Sequence, residues 1–149
     1  MSHTPVAVRT PVQKAALAVS AVFLVVGVAG FIPGLTTNYD TLMFAGHESR
    51  AMLLGLFMVS VLHNVVHLAF GVVGFLMSRT AYGAYWYLVG GGVVYLLLWL
   101  YGLVIDHDSA ANFVPLNTAD NWLHLLLAVG MAGLGFALGR GAGTRGARR

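Results

Sequence analysis

Three histidines in apolar surroundings, His63, His67 and His124, are the residues of this chain best suited to chemistry. Imidazole titrates near neutral pH and is the commonest side-chain metal ligand. His63 and His67 are four residues apart, a spacing that puts both on one face of a helix. Such a pair serves many sites for zinc and related metals, and His124 completes a three-His set. Alternatively, His63 and His124 are candidate axial ligands of a haem. The pair lacks the Glu of the metalloprotease pattern and so names no reaction. Asn64 and Asn121 stand beside the histidines and complete a candidate pocket or cofactor-binding group. A second candidate, for a divalent cation, is the oxygen set Asp106, Asp108 and Asp120.

Two uses without a metal stay open. Imidazole and amide groups can hydrogen-bond between helices and fix a bundle's register, at about 1 kcal/mol per contact. That use makes the protein a structural or accessory bundle. Histidines can also relay protons or line a path for a small polar molecule. Against a through-path, positions 71 and 74 below His67 are glycine, and no polar side chain continues inward. No serine, cysteine or paired-carboxylate arrangement makes a catalytic centre, and an enzyme is not expected.

The elements that carry these residues follow from composition. Of 149 residues, 58% are hydrophobic and 9% charged, against about a quarter charged in soluble domains. Four runs are apolar over lengths near the roughly 20 residues that cross a hydrocarbon core. They lie at about 15–32, 51–77, 84–105 and 122–138. Backbone in lipid must bond to itself, and the runs lack the alternation of barrel strands, so the expected fold is an all-α four-transmembrane-helix bundle. It occupies 15–140, between an N-terminal segment, 1–14, and a disordered basic tail, 141–149.

Charge sets the expected orientation. Arg9, Lys14, Arg79, Arg140, Arg145, Arg148 and Arg149 flank one side of the runs. Every acidic residue and only Arg50 among the basic ones lies on the other. Basic flanks stay cytoplasmic, which predicts both termini in the cytoplasm. The first run has a basic start but exceeds the roughly 7–15 residues of a signal-peptide core, so a retained anchor is expected. The net charge of +3 is membrane-flanking and suits anionic lipid headgroups rather than nucleic acid. With no cysteine there are no disulfides or thiolate ligands.

An internal repeat is also legible. LHNVVHLAFGVVGFLMSR at 62–79 and LHLLLAVGMAGLGFALGR at 123–140 share Leu-His, Gly-Phe and a closing Arg. His63 and His124 each precede their arginine by 16 residues. The first and third runs align at an offset of 72, pairing Phe23 with Tyr95 and Gly30 with Gly102. Two similar helical hairpins forming a parallel repeat are expected. Polar and small residues gather on one stripe per run: Ser60, His63, Asn64, His67, Gly71 and Gly74 on the second; Asn121, His124, Ala128, Ala132, Gly135 and Gly139 on the fourth. Leu62, Val65, Val66, Leu68 and Val72 are left for lipid. At about 1.5 Å per residue, His63 and His124 lie roughly 24 Å above their arginines and His67 roughly 18 Å. The expectation is an outward-facing polar pocket roofed by the 106–121 loop. Glycine-rich stripes suit a homo-oligomer or a membrane-complex partner equally well.

The stretches LTTNYDTL, SVLHNVVHLAFGVVG and YGLVIDHDSAANFVPLNTADNWLHL, with the basic ends, resemble a bacterial family of small four-helix membrane proteins known as a domain of unknown function. The resemblance runs from about Thr10 to Arg140 and implies the four-helix fold and the bacterial inner membrane. It makes His63, Asn64, His67, Asp106, His107, Asp108, Asn112, Pro115, Asn117, Asp120, Asn121 and His124 signature positions, and it implies no activity. The chain is also similar in general look to small four-helix membrane proteins associated with respiratory oxidases.

Overall fold

The computed structural model describes residues 8–140, so the basic tail expected at 141–149 lies outside the described residues. Four helices form the body: α1 (Pro11–Ala29), α2 (Val61–Met77), α3 (Ala81–Val104) and α4 (Thr118–Leu138). A helix N-terminus leaves N–H groups without partners, which an oxygen-bearing residue just ahead of it can satisfy. Each helix here has one: Thr10, Ser60, Thr80 and Asn117 accept from the backbone N–H three residues on. Thr10 with Gln13 and Asn117 with Asp120 make reciprocal capping boxes. α1, α3 and α4 are long and apolar enough to cross a membrane, and α2, with 17 residues, is shorter.

The second run is a helix only from Val61, not from Ala51. Its first part is a strand pair, β2 (Ala51–Leu53) and β3 (Phe57–Val59), joined to a preceding strand, β1 (Thr36–Thr37), in an antiparallel sheet of order β1-β2-β3. Leu54 and Gly55 turn the pair with φ of 54° and 68°. A short apolar stretch reads the same as buried strand or helix, and burial decides here. Ala51, Leu53 and Val59 point inward against Val26, Ala29 and Leu42. Ser49 ties the pair down, its Oγ donating to the Val59 carbonyl at 2.6 Å and accepting from Met43 N–H. Three other boundaries shift less. α1 ends at Ala29 because the chain tightens through Phe31 and Ile32 into Pro33. α3 starts at Ala81 behind Thr80, and α4 starts at Thr118 because Asn117 is its cap.

α1 packs mainly on α2, and α3 on α4. Their buried stripes carry the small and polar residues: Ala16, Ser20 and Gly27 beside Phe23 on α1; His63, Asn64, His67, Gly71 and Gly74 on α2. At Gly92 an added Cβ would lie 2.9 Å from both the Cβ and the backbone nitrogen of Ala132, so α3 and α4 meet almost backbone to backbone. Aromatic rings fill the centre. Phe23 stacks on Tyr95 with centroids 5.5 Å apart, and Phe70 meets both edge-on. At one end, Gln13 donates to the carbonyls of Ser78 and Arg79, binding α1 to the tight α2–α3 turn. The sheet and the 105–117 segment occupy the other end. Large apolar side chains on all four helices point away from the core, among them Val25, Val72, Leu97 and Leu126.

Candidate functional site

His63, His67 and His124 meet at the sheet end of the bundle and are buried, between 4% and 8% exposed. The His63 and His67 rings are 4.6 Å apart between centroids. His67 lies 5.7 Å from Phe23, and His124 lies 5.2 Å from Tyr95. Nδ1 of each of the three is buried with no hydrogen-bond partner. The three rings line one cavity of about 120 Å³, together with Tyr95, Leu98 and Tyr101 of α3, Val66 of α2, and Phe113, Val114 and Leu116 above.

The segment over the cavity is held by side chains rather than regular structure. Asn112 donates to the carbonyls of His107 and Leu116 and accepts from Leu116 N–H at 2.8 Å, which pins the turn carrying Phe113 and Val114. Tyr101 donates its hydroxyl to the Ala111 carbonyl, and His107 Nε2 donates to the Gly102 carbonyl. Asp120 joins this end to the sheet. Its Oδ2 accepts from Met58 N–H and from Asn117 N–H, each at 3.0 Å, while Asn117 donates to the Leu56 carbonyl.

Removal of the Asp120 carboxylate should therefore strip acceptors from two backbone donors at once. A buried donor left unmade costs about 1–3 kcal/mol. Asp120→Ala is expected to lower the melting temperature in detergent by several degrees, with a smaller loss for Asp120→Asn, which keeps one carbonyl acceptor. Equal melting of the wild type and the alanine variant would mean that the latch carries no stability.

The other candidate residues are placed differently. Asn64 is fully buried with both amide atoms unpartnered, and it packs against Gly30 between α1 and α2. Asn121 packs against Gly102 between α3 and α4, its Oδ1 also unpartnered. Neither amide lines the cavity. Asp106 and Asp108 are exposed, with Asp106 Oδ1 accepting from Asp108 N–H within a local turn, whereas Asp120 is turned inward onto β3. The three aspartates are therefore not brought together. Among the described residues no three His, Asp or Glu side chains are grouped as a metal ion would require, the three histidines included. A haem has no room either: about 120 Å³ is well below the roughly 300–1,000 Å³ of pockets for drug-sized ligands.

Sequence reasoning missed part of the lining. Val66, assigned to the lipid face, lies at the edge of the cavity. Its position three residues after His63 puts it at the margin of the histidine stripe, where a face assignment is least secure. Leu98 and Tyr101 follow Tyr95 by three and six residues, a helical spacing that extends the Tyr95 face. Phe113, Val114 and Leu116 sit in a segment without periodicity and left no such signal.

A family model described as Domain of unknown function (DUF4383) matches residues 13–137. The chain belongs to that family. The DUF4383 match takes in nearly all of the four helices, the sheet and the segment over the cavity. No curated protein matches the chain, and no solved structure does.

Proposed function

We propose that this DUF4383 protein is an integral membrane bundle of the bacterial cytoplasmic membrane that holds a small polar guest at His63, His67 and His124. The reading rests on one observation above all: three buried imidazoles surround one space, and each leaves Nδ1 unpartnered. Buried polar groups are nearly always hydrogen-bonded. Histidines kept only to fix helix register would be bonded to the neighbouring helix, whereas here each Nδ1 lies closed off behind the cavity wall, and a turn of the ring brings it to a guest. The role is accessory rather than catalytic.

Membrane embedding is supported by the apolar side chains facing outward on every helix. Exposed Tyr82 and Trp86 at one end of the bundle and Tyr101 and Trp122 at the other resemble interfacial belts. Tyr82 and Tyr101 are separated along α3 by roughly 28 Å, close to the roughly 30 Å of a hydrocarbon core. The basic residues at the α2–α3 turn and after α4 support an orientation with both termini in the cytoplasm and the cavity toward the outside. Arg140 suits anionic headgroups, and the glycine-lined faces leave room for a homo-oligomer or a partner in a membrane complex. The Phe23–Tyr95 stack, formed by two residues equivalent under the 72-residue offset, supports two similar hairpins related by an axis along the membrane normal.

A single transition-metal ion is the second reading, favoured by the three unpartnered Nδ1 atoms. It requires the imidazoles to rotate toward one point. The test is the protein purified in mild detergent, analysed for metals and for extractable small molecules beside His63→Leu, His124→Leu. The expected result is about one guest per chain, lost in the double variant. Equal content in both proteins, or a protein free of metals and small molecules, would contradict the pocket.

A further inference from the structure

The imidazoles line the inner part of the cavity, and its mouth is lateral. His63, His67, His124 and Tyr95 are buried, whereas Val66, Tyr101 and Phe113 line the same space at 45%, 38% and 57% exposure. Val66 belongs to the outward apolar face of α2, with Val65, Val72 and Val73. The cavity thus opens sideways between α2 and α3, two helices that pack on each other far less than either does on its hairpin partner. Along α2, Val66 is roughly 20 Å from Arg79, so in an embedded bundle the mouth lies in the outer half of the roughly 30 Å hydrocarbon core. What reaches the histidines through it comes from the lipid.

We propose that the guest is the head of a membrane-dissolved amphiphile of the quinone and quinol class: a single ring bearing carbonyl or hydroxyl oxygens, its apolar tail leaving past Val66. This rests on the membrane pocket proposed above and specifies its ligand. Three features select the class. The volume of about 120 Å³ is near that of an engineered apolar cavity of about 150 Å³ that holds benzene, so it admits one six-membered ring. Tyr95 and Phe113 offer aromatic surface for that ring to pack against. The remaining lining is apolar, which penalises a carboxylate or phosphate head far more than a neutral oxygen. Each Nδ1 lies behind the cavity wall, and a ring that turns to present it donates to a carbonyl or accepts from a hydroxyl according to its tautomer, so the same three rings serve both forms of the head.

The test uses the full chain in lipid nanodiscs and, as probe, a benzoquinone carrying one isoprenoid unit, with empty nanodiscs as the blank. Saturable binding of one probe per chain is expected. Val66→Trp, which fills the mouth, should weaken it about tenfold, or 1.4 kcal/mol. Val72→Trp, on the same outward face but away from the cavity, should leave it unchanged, and the isoprenoid alcohol without the ring should not compete. His67→Leu, smaller than the tryptophan change and set inside the cavity, should also weaken binding if Val66→Trp fails to fold. Absence of saturable binding, binding unaffected by both Val66→Trp and His67→Leu, or full competition by the ringless alcohol would each overturn the proposal. A stoichiometric metal lost from His63→Leu, His124→Leu, with no quinone bound, would overturn this proposal while leaving the pocket. No guest of any kind would overturn both.

Discussion

Gly92→Leu should all but eliminate folded protein from detergent extracts, and Gly92→Ala should lower the melting temperature sharply. Close packing is a main source of helix association in lipid, where no hydrophobic force drives helices together. At Gly92 the space for a Cβ is bounded by Ala132 Cβ and nitrogen at 2.9 Å and by the Ala128 carbonyl at 3.0 Å. Two of those three atoms are backbone and cannot turn aside. Overpacking a well-filled core by a methylene or so costs about 1–3 kcal/mol, and a leucine adds several carbons where even the first does not fit. Gly90, two residues earlier on the opposite face of α3 with open space around its Cβ position, is the matched control: Gly90→Ala should be neutral or slightly stabilising, since alanine is the better helix former by about 1 kcal/mol. Equal extraction and melting of the Gly92 and Gly90 variants would show that α3 and α4 do not approach as described.

The second large effect has the opposite sign. His67→Leu should raise the thermal stability of the guest-free protein while abolishing guest retention. His67 is buried beside Phe23 and the His63 ring, with Nδ1 unpartnered. An unmade buried hydrogen bond costs about 1–3 kcal/mol, and an apolar group of similar size removes that cost. Thermal melting of both proteins, after delipidation and after readdition of native lipid extract, checks it. A variant less stable than the wild type under both conditions would mean that the imidazole is bonded within the bundle, and the histidines would then be packing residues. Stability given up at one position and regained on ligand binding is the behaviour expected of a binding site rather than of a register device.

Much of this was legible from periodicity alone. The second-run stripe of His63, Asn64, His67, Gly71 and Gly74 is the buried face of α2, because in an all-apolar helix the rare polar and small residues mark where neighbours come close. Phe23 and Tyr95, which align at an offset of 72, stack at the centre, a contact that the alignment itself does not imply. The limits are as physical. Ala51 to Val59 is apolar throughout, and nothing in such a run distinguishes a strand pair from a helix except the Gly55 turn. Asp120 looked available to a cation, but its carboxylate is used by Met58, 62 residues away in the chain, a contact that spacing cannot reveal. Asn64 and Asn121 were placed with the histidines by neighbourhood in sequence, yet each turns instead to a glycine, Gly30 or Gly102, on the partner helix.

The most direct test of the account is the sidedness of the chain in the membrane. The sequence has no cysteine, so single-cysteine variants report without background. Asp108→Cys, exposed at the cavity end, and Arg79→Cys, exposed at the α2–α3 turn, are treated in intact cells with a membrane-impermeant maleimide, before and after permeabilisation. The account predicts labelling of position 108 in intact cells and of position 79 only after permeabilisation. Labelling of 79 but not 108 in intact cells would turn the histidine cavity toward the cytoplasm, and recovery of both variants in the soluble fraction would remove the membrane from the account altogether.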